Sequence, residues 1–177
     1  MPFCQEHVRP LTLGRYSVED KQWSDNPEYY QGTLIWREGL EGGDKARADY
    51  HRFCRHLIWL RSRHPALKGE GFRLIDVHND NRVLAFQRWQ EGVGRDVVVA
   101  ASLNESTFYD YRLGVPRPGR WLEVFNSDIY DNWVNPWAAG NGGSITADGP
   151  PWHGLSHSAR VVIPANSIVV FALDEGD

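Results

Sequence analysis

Between residues 44 and 71 the spacing of apolar side chains changes from a helical to a strand period, and this switch constrains the fold more than any other feature of the chain. Ala46, Tyr50, Phe53, Leu57, Leu60 and His64 recur at steps of four and three, which is one stripe of an α-helix. Asp44, after Gly42–Gly43, is placed to cap the start, and Pro65 stops the continuation, so the spacing predicts a helix over 44–64. From Gly71 onward, β-branched runs of period two predict strands at Phe72–Val77, Arg82–Trp89, Asp96–Leu103, Tyr109–Leu113, Arg120–Phe125, Arg160–Ile163 and Ser167–Leu173. The DVVVAASL run is nearly continuous, as expected of a strand buried on both faces. His78–Asn81, Gly114–Gly119 and Pro164–Asn166 carry the turn residues between strands. Seven short strands after one helix predict a mainly β fold, an antiparallel β-sandwich.

The remaining segments read as loops. Residues 1–43 show no sustained period and mix Tyr16, Trp23, Tyr29, Tyr30 and Trp36 with Asp, Asn, Pro and Gly, which predicts an irregular N-terminal segment. Asn126–Ser158 reads as a second long irregular stretch, rich in Gly and Pro.

Composition narrows the function classes. A hydrophobic fraction of 41% against 24% charged residues excludes whole-chain disorder. No apolar run approaches the roughly 20 residues of a membrane span, and Met1–Pro10 carries no apolar leader core, so no membrane association is expected. Cys4 and Cys54 form no disulfide framework, and a reducing cytoplasm is the expected compartment. The formal charge of −4 speaks against nucleic acid as a partner. The helix itself is basic, six cations against Asp44 and Asp49, a net +4 that leaves −8 elsewhere. That pattern reads as a solvated face or a contact with an acidic neighbour.

Catalytic and metal-binding patterns are weak. Glycosidic-bond chemistry uses two carboxylates roughly 5–9.5 Å apart. Asp128 and Asp131 are the nearest such pair in an aromatic loop, but acids beside Asn are ordinary turn formers. His153 and His157 lie four apart without a helix to align them, and His51 and His56 are five apart. Asp80, Asp128 and Asp131 have no calcium-loop spacing. There is no nucleophile elbow and no phosphate loop. No catalytic residue, metal site or cofactor is expected. The best ligand candidate is Asn132–Trp137, where Trp133 and Trp137 offer flat apolar faces to sugar rings and Asn132 and Asn135 offer donors and acceptors to hydroxyls. Trp152 is a further candidate. The competing reading is a loop pinned to the sandwich by its Trp side chains.

Three segments then resemble a known family. Tyr109–Asp128 (YDYRLGVPRPGRWLEVFNSD), Ala139–Gly143 (AGNGG) and His153–Leu173 are similar to the C-terminal β-domain of bacterial 1,4-α-glucan branching enzymes, members of the α-amylase superfamily. Tyr50–Leu67 resembles the last helix of that family's (β/α)8 barrel, and Glu19–Trp36 its final loop region. Phe3–Glu6 resembles a Met-Gly-Gln-Glu turn of the family, whereas His7–Val18 departs from the pattern.

The resemblance implies a division into residues 1–66, the end of a barrel with its helix 44–64, and residues 67–177, an all-β sandwich of the α-amylase C-terminal type. The family's nucleophilic Asp, acid/base Glu and stabilising Asp lie on upstream barrel strands and map to no position here. The expected function is therefore a non-catalytic part of a branching-enzyme-like protein of α-glucan metabolism, stabilising the barrel and gripping glucan. The alternative is a free-standing α-glucan-binding module. Expected partners are α-glucan, the catalytic barrel of the parent protein and a second copy through helix 44–64. The helix stripe, each side chain worth roughly 1.5–3 kcal/mol when buried, needs a cover, which the sandwich, residues 1–43 or a second copy would supply.

Overall fold

The computed structural model describes residues 45–93, 95–131 and 133–176. The expected loops of 1–43, the capping Asp44 and the candidate Asn132 lie outside the described residues. The chain divides into two compact units, Met1–Arg55 and His56–Asp177. Helix α1, Lys45–Arg63, begins in the first and ends in the second.

In the first unit the helix buries a carboxylate. Asp49 is 7% exposed and accepts from Lys45 Nζ at 2.6 Å and Arg52 Nη1 at 2.9 Å. Lys45 and Arg52 sit four and three residues from Asp49, on the same face of the helix. In the second unit Leu60 is buried, Leu57 and His64 are half-buried, and Ile58 and Trp59 are exposed. The Arg63 guanidinium lies 4.2 Å from the Trp59 ring centroid. Pro65 ends α1 as expected and opens a 3-10 turn, Pro65–Leu67.

Among the described residues that follow, the regular structure is β, all of it antiparallel, apart from one 3-10 turn, Ser127–Tyr130. The strands are β1 Gly71–His78, β2 Val83–Trp89, β3 Val97–Ser102, β4 Phe108–Val115, β5 Gly119–Asn126, β6 Ser144–Ala147, β7 His157–Ile163 and β8 Ile168–Leu173. One sheet has the order β1-β2-β3-β8-β5-β6, and the second is β4-β7. Seven of the eight correspond to strands expected from the period. The eighth, β6, falls inside the stretch read as irregular and corrects that reading. Its alternation is regular, with Ile145 and Ala147 buried and Thr146 exposed, but four residues after Gly142–Gly143 are too short a run to recognise.

The central strands explain their composition. Val97, Val98, Val99 and Ala100 of β3 are all buried, as are Val169 to Leu173 of β8, so neither strand alternates. The core between the sheets draws on every strand: Ile75, Val83, Val98, Leu113, Trp121, Ile145, Val161 and Phe171 among others. Four connections carry the chain between the two sheets, and two of them are tight turns. Pro116–Pro118 joins β4 to β5, and the fully buried Trp121 donates its indole N–H to Arg117 O at 3.2 Å. Pro164–Ser167 joins β7 to β8, where Ser167 Oγ donates to Pro164 O at 2.7 Å.

Candidate functional site

The loop between β5 and β6 contains most of the candidate residues, and its shape is set by side-chain amides and carboxylates acting on its own backbone. Ser127–Tyr130 is a 3-10 turn capped by Asn126, whose Oδ1 accepts from Asp128 N at 3.0 Å. Asn126 Nδ2 donates to Ala139 O at 2.8 Å, and Asp128 Oδ2 accepts from Ala139 N at 2.9 Å, which ties the far side of the loop to the near side. Asn135 uses both ends of its amide inside the loop: Nδ2 donates to Asp128 O at 3.1 Å and Oδ1 accepts from Trp137 N at 3.0 Å. Asn141 anchors the exit. Its Nδ2 donates to Glu123 Oε2 at 2.6 Å and Val162 O at 3.0 Å, and its Oδ1 accepts from Val162 N at 2.7 Å.

The two loop tryptophans have different surroundings. Trp133 is half-buried in an aromatic group, its ring 5.0 Å from Tyr130 and 5.7 Å from His56. Tyr130 Oη and His56 Nδ1 share a hydrogen bond of 2.6 Å, and Tyr130 stacks on Phe125 at 5.6 Å. Trp137 is 89% exposed, although its backbone is fixed by Asn135. The loop therefore presents one indole to solvent on a tied frame and uses the other as a packing residue. Asp128 is occupied with Ala139 N, consistent with its reading as a turn former.

Trp152 belongs to the next connection. Its backbone pairs with Leu155 in a tight turn, Trp152 N to Leu155 O at 3.0 Å and the reverse at 2.9 Å. A Cβ on Gly114 of β4 would come within 2.4 Å of Trp152 O, so glycine there lets the turn lie on the strand. The Trp152 ring is 43% exposed, and the Arg112 guanidinium lies 5.1 Å from its centroid.

Beside it is a network that the sequence did not reveal. Tyr111 donates its hydroxyl to the Asp76 carboxylate, and His153 Nε2 lies 3.5 Å from the same Asp76 Oδ2. Gly114 N donates to His153 Nδ1 at 3.4 Å, which makes Nδ1 the acceptor and puts the ring proton on Nε2, toward Asp76. Burial lowers the His153 pKa, with Asp76 opposing and His78 adding to the fall. Burial, the hydrogen bond to Asp76 and the Asp76 charge together raise Tyr111 far above the usual phenol range. Both Asp76 and Tyr111 adjoin register shifts, between Leu74 and Asp76 and between Phe108 and Tyr111. The only trace in sequence is the broken alternation at Leu74–Ile75.

Among the described residues no three His, Cys, Asp or Glu side chains converge as a metal site. No described helix is long and apolar enough to cross a membrane.

Residues 75–174, more than half of the chain, match the family described as alpha amylase, C-terminal all-beta domain. The chain belongs to this all-β domain family. Both tryptophan-bearing loops and the Tyr111–Asp76–His153 network fall inside the all-β domain match. The chain is also 33% identical over 170 residues to the 1,4-alpha-glucan branching enzyme GlgB of Oceanobacillus iheyensis, covering 92% of this chain and 25% of that protein. It thus spans about a quarter of the length of that relative. Among solved structures, isomaltulose synthase PalI from Klebsiella sp. LX3 is similar at 19% identity and a TM-score of 0.46, over 86% of this chain and 21% of the other. Trehalulose synthase MutB from Pseudomonas mesoacidophila MX-45 is similar at 19% identity and a TM-score of 0.44, over 83% and 21%.

Proposed function

We propose that this chain is the C-terminal part of a cytoplasmic branching-enzyme-like protein of α-glucan metabolism, and that it grips glucan without cleaving it. The homology to GlgB along 92% of the chain supports the parent. The observation that carries the grip is Trp137, 89% exposed on a loop whose backbone is tied by Asn126, Asp128 and Asn135. A large apolar ring held in water by a fixed frame loses little freedom when a sugar face stacks on it. Residues 1–66 would serve as the barrel end and 67–177 as the sandwich that steadies it, with helix 44–64 the surface for the barrel or for a second copy. In the whole protein the reaction would be cleavage of an α-1,4 linkage and transfer to a 6-hydroxyl, on residues of the barrel.

Native gels containing glycogen test the grip. The unmutated chain should be retarded, Trp137→Ala should migrate faster in glycogen but equally in plain gels, and Trp137→Tyr should keep most of the retardation. Absence of retardation, or equal retardation of Trp137→Ala, refutes the reading. An iodine-stain assay on amylose should show no branching by this chain alone.

A further inference from the structure

A cleft at the open end of the β1–β2 hairpin, away from both tryptophan loops in sequence, has the makings of a second ligand site. Its volume is about 650 Å³, and Lys68, Glu70, Gly71, Trp89, Gln90 and Glu91 line it. That volume lies within the ~300–1,000 Å³ usual for small-molecule pockets.

The indole in this cleft is placed by backbone. Gly71 is the register partner of Trp89, and a Cβ at Gly71 would come within 2.4 Å of Trp89 Cδ2 and 2.5 Å of Cε2. The ring therefore rests on the Gly71 main chain, and any side chain there would push it away. Gly69 is under a similar limit, since its Cβ would meet Trp89 O at 2.5 Å.

The walls are tied as well. Lys68 N and Gly69 N both donate to Pro65 O, at 2.8 and 2.9 Å. Arg88 donates to Gly69 O, and Lys68 Nζ to Ser62 O at 3.0 Å. On the other side Val93 N donates to Gln90 O at 3.3 Å. By contrast, the side chains of Glu70, Gln90 and Glu91 are exposed and make no hydrogen bond or ion pair among the described residues.

We infer that this cleft binds a short neutral oligosaccharide, with one sugar ring against Trp89 and its hydroxyls donating to Glu70 and Glu91. The chemistry selects that class. Two carboxylates accept hydroxyl protons in charge-assisted bonds and, against the single Lys68 ammonium held on Ser62 O, leave the lining net negative, which disfavours phosphates and other anions. The indole accepts the C–H face of a pyranose, and the polar rim disfavours a purely apolar ligand. The inference does not depend on the Trp137 loop.

Titration of the isotope-labelled 177-residue chain with maltotriose, followed by proton–nitrogen correlation spectra, tests it. Cellotriose and tetramethylammonium chloride serve as the β-linked and cationic comparisons. The Trp89 indole N–H, assigned by its loss in Trp89→Phe, should shift together with the amides of Glu70, Gly71, Gln90 and Glu91. Glu70→Ala with Glu91→Ala, both at exposed positions, should weaken binding by at least about tenfold, the size of one charge-assisted hydrogen bond lost. Trp137→Ala should leave this titration unchanged while it alters glycogen-gel migration, so the two readings fail separately. Unmoved resonances with both sugars, shifts with tetramethylammonium alone, or full affinity in the double variant would each overturn the inference. Because the wild-type spectrum decides the first two, the result does not depend on the variant folding.

Discussion

Asn141→Ala should destabilise the domain by about 2–3 kcal/mol, although the residue lies in a loop and is only half-buried. The size follows from what its amide does. Strand β7 pairs with β4, and the backbone N–H and C=O of Val162 are met instead by the Asn141 side chain, at 2.7 and 3.0 Å. The same amide donates to Glu123 Oε2 at 2.6 Å. Removing it deletes two neutral hydrogen bonds, worth about 0.5–1.5 kcal/mol each, and one to a carboxylate, worth about 1.5–3 kcal/mol. Water reaching the half-buried site recovers part of that sum, which brings the expectation to the stated range. For a chain of this length each kcal/mol moves Tm by about 2–4 °C, so a fall of roughly 5–10 °C should accompany it. Urea unfolding should show a lower midpoint with an unchanged slope. Asn141→Asp provides the discriminating control. It keeps the shape and the acceptor for Val162 N but sets a carboxylate against Glu123 and Val162 O, so it should be at least as unstable as the alanine variant. A loss below about 0.5 kcal/mol for Asn141→Ala, or an Asp variant more stable than the Ala one, would refute the assignment of Asn141 as the bridge between loop and strand.

Two further predictions concern the close approach at Gly114 and the titrating groups His153, His64 and Tyr111. Gly114→Ala sets a Cβ against a backbone carbonyl 2.4 Å away, so the Trp152–Leu155 turn must move; proteolysis within 150–156 should accelerate, and an unchanged cleavage rate would contradict the close approach. The pH dependence of stability should fall at both ends. His153 and His64 have folded pKa values below their ordinary 6.5, His153 chiefly through burial, and His64 through burial and then Arg95 and Arg63. Between the folded value and 6.5 the unfolded chain binds the extra proton, so stability declines as pH drops below 6.5. Tyr111 is raised above its ordinary 10.0, so above pH 10 the unfolded chain loses a proton that the folded one keeps, and stability declines again. Urea midpoints across pH should show both slopes, and Tyr111→Phe should remove the alkaline one.

The sandwich was largely legible because its signals are local. The stripe from Ala46 to His64 and the stop at Pro65 depend on residues within a few turns of one another, and the helix ends at Arg63 as they require. The unbroken DVVVAASL run foretold a strand with both faces covered, and Val97 to Ala100 are buried accordingly. Strand β6 escaped because its alternation lasts four residues, and Gly142–Gly143 in front of it reads as loop. Which strands share a sheet was not legible at all. Gly114–Gly119 reads as a turn between consecutive strands, yet Pro116–Pro118 carries the chain across the core, since β4 pairs with β7 and β5 with β8 and β6.

The candidate site divides in the same way, and the division bears on how each surface can recognise a ligand. That Asn135 would bond the backbone two residues on is a property of Asn in a turn, and it does so to Trp137 N. Which tryptophan faces water depends instead on Tyr130 and His56, which close over Trp133 and leave Trp137 out. The amides of Asn126, Asn135 and Asn141 and the carboxylates of Glu123 and Asp128 are engaged within the loop, so these groups are not left to read hydroxyl positions. On the proposed reading, stacking on Trp137 would tolerate many sugar geometries, which suits holding a long polymer at any of its residues. The Trp89 cleft inverts that arrangement. Its backbone is tied while Glu70 and Glu91 stay exposed on its rim, so in the proposed complex two carboxylates would remain to accept from sugar hydroxyls. Composition supplies eight tryptophans without distinguishing these roles. The distinction lies in whether the neighbouring polar groups are used by the fold or left for a ligand.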